Sequence, residues 1–332
     1  MACSGKMLKA AKPLDVYRRS TPYAGGILSF AMHMNGDSKS AEEIARQAVT
    51  IDDFQDLWTI HAIAHCLYSQ GRILECIQFI DSYRPIIQKA NPSAFMKGHM
   101  EFHQALCYID LENVPGLHDL IDGHLWTSLS HSEQRDYWNA AGLLNIQWKA
   151  ELRGLSNVVH HASLKQAMDI LEGTSSSSPG ALASKSAVFS LCILRWSNGT
   201  FREEWRLQLM KSDNYILCDL AAAVDAVYPP SPLSAGATAA DGFPVFASHV
   251  CSNAIEKYLA EHVDNLDKLG ASPEQREVIE EFIVIVAKVA GKEQLPIETI
   301  DMQNWTKRNY RPNITFYESA LGLKGTIEKH DY

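Results

Sequence analysis

Helical patterns separated by short breaks run along the chain from about residue 24 to residue 172. Glycine or proline stands at most of these breaks, and both residues are typical of helix boundaries. No run of alternating polar and apolar residues predicts a strand, so the expected fold class is all-α. The predicted helical segments are 26–35, 40–50, 57–70, one from Arg72 that stops near Tyr83 ahead of Pro85, 91–111, 115–126 and 132–152.

The spacing of these segments narrows the all-α class further. Paired helices that recur at about 35 to 40 residues are typical of an α-solenoid of the tetratricopeptide repeat (TPR) type. Residues 41–52 fit such a repeat, because their small side chains let the two helices of a pair approach closely. We therefore predict a TPR-like α-solenoid of antiparallel helix pairs, with an ordinary helical bundle as the alternative.

The rest of the chain divides where its composition changes. Residues 1–23 are predicted to be an N-terminal extension ahead of TPR-like helical repeats at 24–172, and residues 173–180 form a serine-rich linker. A further helical region is expected over 181–332, interrupted by a loop rich in proline and glycine at 229–244. The sequence thus predicts a repeat domain joined by a short linker to a second helical region.

Charge and cysteine usage exclude several classes of partner. The chain has 30 Lys and Arg against 39 Asp and Glu, a formal net charge of −9. Phosphate backbones attract clustered basic residues and anionic membranes repel an acidic chain, so we expect no nucleic-acid partner and no membrane partner. The seven cysteines include no C-x-x-C pair and indicate buried thiols in a reducing compartment. Without a secretory signal pattern, the expected location is cytoplasmic.

The histidines form the clearest chemical pattern in the sequence. The chain has no glycine-rich phosphate loop, H-E-x-x-H or G-x-S-x-G, so standard nucleotide, zinc-protease and esterase sites are not predicted. His61 and His65 are four residues apart in one predicted helix, and His99 and His103 repeat this spacing in a later one. Residues at i and i+4 share a helix face, and the first helices of successive repeats lie side by side. The two pairs are therefore expected to converge.

Other residues on these faces are predicted to bind a small-molecule ligand. Trp58, Tyr68 and Phe102 are expected to shape a cavity around the histidines. Arg72 is expected to orient an anionic group of the ligand. On the first helix of the next repeat, Trp138 and Asn145 share a face and are predicted to extend the ligand-binding surface.

Three interpretations of the four histidines stay open. In the first, they are structural residues that hydrogen-bond between helices. In the second, they are general acid and base groups of a small-molecule pocket, because imidazole titrates near neutral pH. In the third, His61, His65, His99 and His103 bind a divalent metal, because imidazoles at i and i+4 can chelate one ion. No other cofactor is predicted.

The histidine segments also resemble a known family. Residues 61–72 are similar to the H-A-x-A-H element, followed by G-R, of the tetratricopeptide repeat protein 38 family. Residues 99–106 resemble its H-N-x-W-H-x-A-L element, with Met100 and Phe102 in place of the Asn and Trp.

Two later segments extend the resemblance. Residues 122–126 resemble the D-x-x-[IL]-W element of the family, and residues 147–154 resemble its W-R-L-E-L-x-G element. The order and approximate spacing agree over about residues 25–154. The resemblance implies a TPR-like α-solenoid that keeps the four-histidine pattern, and it implies no particular reaction.

The leading functional prediction is a small-molecule enzyme or binder on a helical-repeat scaffold. For an enzyme we expect general acid/base chemistry of the isomerase, cyclase or lyase type, with the histidines as catalytic residues and no nucleotide cofactor. The alternative is a non-catalytic TPR-like scaffold that binds a peptide or protein partner in its concave groove. A closed cavity faced by histidine nitrogens favours the first hypothesis, and an open groove favours the second.

Overall fold

The computed structural model describes residues 2–18, 20, 23–49, 56–89, 95–125, 136–152, 155, 158–159 and 167. Within these residues every regular element is helical, which confirms the all-α prediction for this part of the chain. The helices are α1 (Ala2–Ala11), α2 (Ala24–Met34), α3 (Ser38–Val49), α4 (Leu57–Ser69), α5 (Ile73–Lys89), α6 (Phe95–Asp110), α7 (Val114–Leu120) and α8 (Asp136–Leu152). The predicted linker at 173–180 and the region 181–332, with its loop at 229–244, lie outside the described residues.

Two short segments of other helical types accompany these helices. A 3-10 helix (Lys12–Tyr17) follows α1, and a π-helical turn (Ile121–Leu125) follows α7. The predicted N-terminal extension is therefore itself helical. It packs onto α2, where Ala11 joins Leu28 and Ala31 in a small apolar cluster.

Side-chain caps explain where several helices begin. The Asp56 carboxylate accepts a hydrogen bond from the Trp58 amide at 2.9 Å, and it fixes the start of α4. Asp37 accepts from the Ser40 amide at 3.1 Å ahead of α3, and Asn113 accepts from the Gly116 amide at 3.1 Å ahead of α7. Each cap satisfies an amide that has no partner within its own helix.

The central helix of the described region is α4. Its residues from Thr59 to Tyr68 are all buried, which is typical of a helix covered on every side. Helices α3 and α5 pack against it, and so do α2 and α6. The first helices of three successive pairs, α2, α4 and α6, therefore lie in a row with α4 in the middle.

The prediction that the helix beginning near Arg72 stops at about Tyr83 is wrong. Helix α5 continues through Pro85 to Lys89. Proline inside a helix costs about 3 kcal/mol, because it removes one hydrogen bond and crowds the preceding turn. Ile73, Ile80 and Ile87 are buried at intervals of seven residues, and each such burial contributes about 1.5–3 kcal/mol. Packing of the last turn thus offsets the cost of Pro85.

Helices α2 and α4 approach most closely at Gly26. A Cβ atom at this position would lie 2.8 Å from the Thr59 backbone nitrogen and 2.9 Å from its Cα, too close for ordinary packing. Glycine therefore allows backbone contact between the two helices. The close approach brings Phe30 and His33, later on α2, against the buried face of α4.

The helices that surround α4 belong to one compact unit. This unit includes the chain up to Ile146, and a second unit begins at Gln147 within α8. Among the helices that the structure describes, none combines the length and the apolar character needed to cross a membrane.

Candidate functional site

Four histidines from α4 and α6 meet in the interior and form what we call the histidine tetrad: His61, His65, His99 and His103. One ring nitrogen of each residue lies within 4.8 Å of the corresponding nitrogen of every other. Three of the rings are buried, and His99 is partly exposed. Burying imidazoles is costly unless their ring nitrogens have partners in the interior.

The two pairs face each other in register. The rings of His61 and His99 have centroids 4.7 Å apart, and those of His65 and His103 are 4.2 Å apart. The crossed distances are longer, at 5.1 Å for His61 and His103 and 6.3 Å for His65 and His99. Helices α4 and α6 therefore run in the same direction here, with the first histidine of one pair beside the first of the other.

Each helix also brings its own two histidines into hydrogen-bond contact. The Nε2 atoms of His61 and His65 are 2.7 Å apart, and those of His99 and His103 are 3.2 Å apart. A hydrogen bond between two ring nitrogens needs a proton on one and a lone pair on the other. Each pair therefore joins one donor to one acceptor.

The environment keeps His61 neutral. Burial lowers the pKa of His61 well below its ordinary value of 6.5, and the nearby rings of His65, His99, His103 and His33 lower that pKa further. The Nδ1 atom of His61 is buried and has no hydrogen-bond partner among the described residues. Neutral imidazole is the form that binds metal ions, because protonation removes the free lone pair.

Aromatic side chains enclose the tetrad. Phe30 of α2 has its ring 5.4 Å from that of His61 and 5.1 Å from that of His65. Phe102 lies nearly parallel to His99, with 5.8 Å between ring centroids and 11° between planes. Trp58 meets His61 edge-on at 5.8 Å. These rings cover the tetrad on several sides, while Trp58 is 43% exposed and His99 is partly exposed.

Sequence reasoning missed two of these neighbours, Phe30 and His33. His33 lies with its ring 5.2 Å from that of His65, and its Nδ1 is 3.0 Å from the Ser38 hydroxyl. Sequence analysis does not select His33, because it has no histidine partner at i+4. The available signal was its spacing from Phe30, since residues three apart on a helix share a face.

Tyr68 and Arg72 were also predicted to bind the ligand. The first is buried within the protein, and the second is paired with carboxylates. Tyr68 is completely buried within α4. The Arg72 guanidinium lies 2.6 Å from a carboxylate oxygen of Glu42 and 2.8 Å from one of Glu75. Two carboxylates therefore already neutralise the charge that was expected to orient an anionic ligand.

The predicted residues of α8 are only partly described. Trp138 is a residue of α8, and its side chain lies outside the described part of the chain. Asn145 is buried, and neither polar atom of its side chain has a hydrogen-bond partner among the described residues. One turn earlier, a Cβ at Gly142 would lie 3.2 Å from a ring carbon of Phe102. This part of α8 therefore supports the ring that stacks on His99.

Comparisons with known proteins do not assign the site. No family model, no curated protein and no solved structure matches this chain.

Proposed function

We propose that the chain is a metal-binding helical-repeat protein whose histidine tetrad holds one divalent transition-metal ion. The observation that carries this proposal is the convergence of one ring nitrogen from each of four histidines within 4.8 Å. Four nitrogen donors from two helices provide a complete tetrahedral ligand set. The three buried members, His61, His65 and His103, would hold the ion away from solvent.

The nitrogen separations support a tetrahedral ion. Zinc–nitrogen bonds of about 2.0–2.1 Å place neighbouring ligand atoms about 3.3–3.4 Å apart in a tetrahedron. The Nε2 atoms of His99 and His103 are already 3.2 Å apart. Those of His61 and His65, at 2.7 Å, need to separate by a small side-chain rotation. A bound ion would supply the interaction that now holds each pair together.

The kind of ligand atom favours some metals over others. Among the described residues, the converging group contains imidazoles and no carboxylate. Imidazole suits zinc, copper, nickel and iron, whereas magnesium and calcium prefer oxygen ligands. We therefore propose zinc or a neighbouring first-row transition metal and exclude the hard cations from the proposal.

The same proposal includes the arrangement of the scaffold. Successive helices pack in pairs, α2 with α3, α4 with α5 and α6 with α7, and the first helices of the pairs also contact one another. These first helices begin at Ala24, Leu57 and Phe95, at spacings close to the TPR repeat of about 34 residues. These features support a TPR-like solenoid, and the ordered motifs over residues 25–154 support a relation to the tetratricopeptide repeat protein 38 family.

A second candidate function uses the same residues without a metal. The two short Nε2 contacts, His61 to His65 and His99 to His103, join proton donors to proton acceptors. In this case the tetrad would perform general acid/base chemistry on a small molecule, of the isomerase, cyclase or lyase type. The two candidates differ in whether the purified protein takes up a metal ion.

Metal titration of the purified full chain tests the proposal. Chelator-treated protein is titrated with Co²⁺, whose visible absorption reports tetrahedral coordination, and with Zn²⁺ in competition. We expect one ion per chain, and we expect His65→Ala and His103→Ala each to weaken binding about 100-fold or more, because each removes a buried ligand.

The matched control is His118→Ala, which removes an exposed histidine of α7 and should leave metal binding unchanged. Circular dichroism establishes that each variant keeps its helices. Failure of folded wild-type protein to bind either ion would contradict the metal proposal. Equal binding by wild type and the His65 and His103 variants would contradict it as well.

A further inference from the structure

We propose that the metal centre binds a small anionic oxygen or nitrogen donor in place of His99, with His61, His65 and His103 as the permanent ligands. This inference rests on the proposed metal function and concerns what the bound ion does. Catalytic zinc sites use three protein ligands and keep the fourth position for water or substrate. The tetrad contains an asymmetry that separates one histidine from the other three.

The asymmetry is visible first in burial. His61 is 2% exposed, and His65 and His103 are completely buried. His99 alone among the four is partly exposed. An external ligand must reach the ion from solvent, and the ring that can leave without opening the core is the one that already contacts solvent. This assigns the exchangeable position to His99.

The surroundings of His99 support the same assignment. His61 and His99 are the first histidines of their pairs and lie side by side, near the starts of α4 and α6. One turn before His61, Trp58 is 43% exposed, and its ring lies at 80° to the His61 ring with 5.8 Å between centroids. The solvent-facing side of the tetrad is therefore the end at which these two helices begin.

The charge of the centre determines the class of external ligand. Four neutral imidazoles leave a divalent ion with its full charge of +2, and the converging group contains no carboxylate among the described residues. Glu101 is buried on α6 between the two histidines of its helix, but it is not a member of that group. A buried net charge is unfavourable unless it is paired, so an anion is favoured over a neutral ligand. A carboxylate or hydroxide fits this position.

Anion titration of the cobalt-loaded full chain tests the inference. Azide and acetate are added to Co²⁺-loaded wild type and to His99→Ala, and the visible absorption is followed. We expect a saturable spectral change in the wild type. In His99→Ala we expect cobalt binding weakened only about tenfold, against about 100-fold for His65→Ala, because a solvent ligand can replace the exposed ring. The variant should bind azide more tightly than the wild type.

The outcomes separate this inference from the proposed function. If the folded wild type binds no cobalt, both fail. If cobalt binds but azide and acetate leave the spectrum unchanged in both proteins, the exchangeable position is contradicted and the four-histidine metal site remains. If His99→Ala loses cobalt as completely as His65→Ala, the inference is also contradicted. His99→Gln provides a second variant in case the alanine substitution disturbs folding.

Discussion

Two polar clusters lie beside α4, and they differ in how their charges are balanced. One is the histidine tetrad, which joins α4 to α6. The other, which we call the carboxylate–arginine network, joins α3 to α5 near the end of α4. Its members are Glu42, Arg46, Gln70, Arg72 and Glu75. Both clusters connect helices that are distant in sequence, and both include buried polar groups.

The network combines groups of opposite charge. Glu42 accepts from Arg46 at 2.7 Å, from Gln70 at 2.7 Å and from Arg72 at 2.6 Å. Burial raises the pKa of Glu42, but its bonds to Arg46 and Gln70 and the charges of Arg72 and Arg46 outweigh burial and lower it. Each charge is matched within the cluster, so the network is complete without a ligand.

The tetrad combines four groups of one kind. Its rings can share protons in pairs, but none of them supplies the opposite charge that another would need. Burial and neighbouring rings lower the pKa of His61, whereas in the network the neighbours stabilise a charge. A cluster with balanced charges holds helices together, while a convergent set of identical lone-pair donors is suited to hold a positive ion.

The largest expected difference between the two clusters is that a metal ion bound to the tetrad raises the free energy of unfolding. A ligand that binds the folded state at about 1,000 times its Kd adds about 4 kcal/mol to the free energy of unfolding. We expect zinc to produce such a shift in urea denaturation of the wild type and none in a His65→Ala/His103→Ala double variant. An equal shift in both proteins would place the stabilising ion elsewhere.

A second effect concerns the wall of the tetrad. Gly26→Ala should destabilise the protein by about 2–3 kcal/mol, because the new Cβ would overlap the backbone of Thr59 and move α2 off α4. Cobalt affinity should fall as well, since Phe30 moves away with α2. Gly5→Ala, whose Cβ would meet nothing within 4 Å, is the matched control and should have little effect. Thermal denaturation that gave equal shifts for both variants would refute the close contact.

The third prediction uses pH to separate the two clusters. The pKa of His61 is lowered in the folded state. When the pH falls below the ordinary pKa of 6.5, His61 is therefore protonated in the unfolded chain and stays neutral in the folded chain. The metal-free protein should therefore lose about 2 kcal/mol of stability between pH 7 and pH 5. Glu42, with its lowered pKa, contributes stability that is lost only below about its ordinary 4.5.

Urea denaturation at several pH values provides the measurement for this separation. His61→Gln should lose less stability between pH 7 and pH 5, because the variant lacks the histidine whose pKa is lowered on folding. His33, His65, His99 and His103 face His61 and lower its pKa in addition to burial. A slope in His61→Gln equal to that of the wild type would show that His61 titrates normally.

The smallest effect is expected in the network itself. Arg72→Met should cost about 1–2 kcal/mol, because Glu42 keeps Arg46 and Gln70 as partners and the lost ion pairs are partly exposed. The loss should shrink in high salt, and cobalt binding should stay unchanged. Urea denaturation at low and high salt measures the loss of stability, and calorimetric titration measures the cobalt affinity. Weaker cobalt binding in this variant would mean that the two clusters are coupled.

The part of the fold that follows from local patterns was predictable. Helical periodicity and the glycine and proline breaks predicted the all-α class, and the spacing of His61 and His65 placed both on one face. Pro85 misled the prediction, because burial of Ile87 one turn later depends on tertiary packing. Local rules give the cost of a proline but not the burial that offsets it.

The site depended more strongly on distances between helices. Spacing within each helix says nothing about the 4.2 Å that separates the rings of His65 and His103. Phe30 and His33 come from α2, and their place over the tetrad depends on the absent side chain at Gly26. Arg72 was predicted to bind a ligand, yet its guanidinium donates a hydrogen bond to Glu42, thirty residues earlier in the chain. Such pairings between distant residues have no signature in a single sequence.

The parallel registration of α4 and α6 has a topological consequence. An ion held by both histidine pairs would join His65 to His99 and close the chain between them, including all of α5, into a loop. Closing a loop of this size in the unfolded chain removes conformational entropy worth about 3–4 kcal/mol, as a disulfide of similar span does. The tetrad would then act as a removable cross-link. Limited proteolysis with and without chelator would show it as protection concentrated between the two pairs.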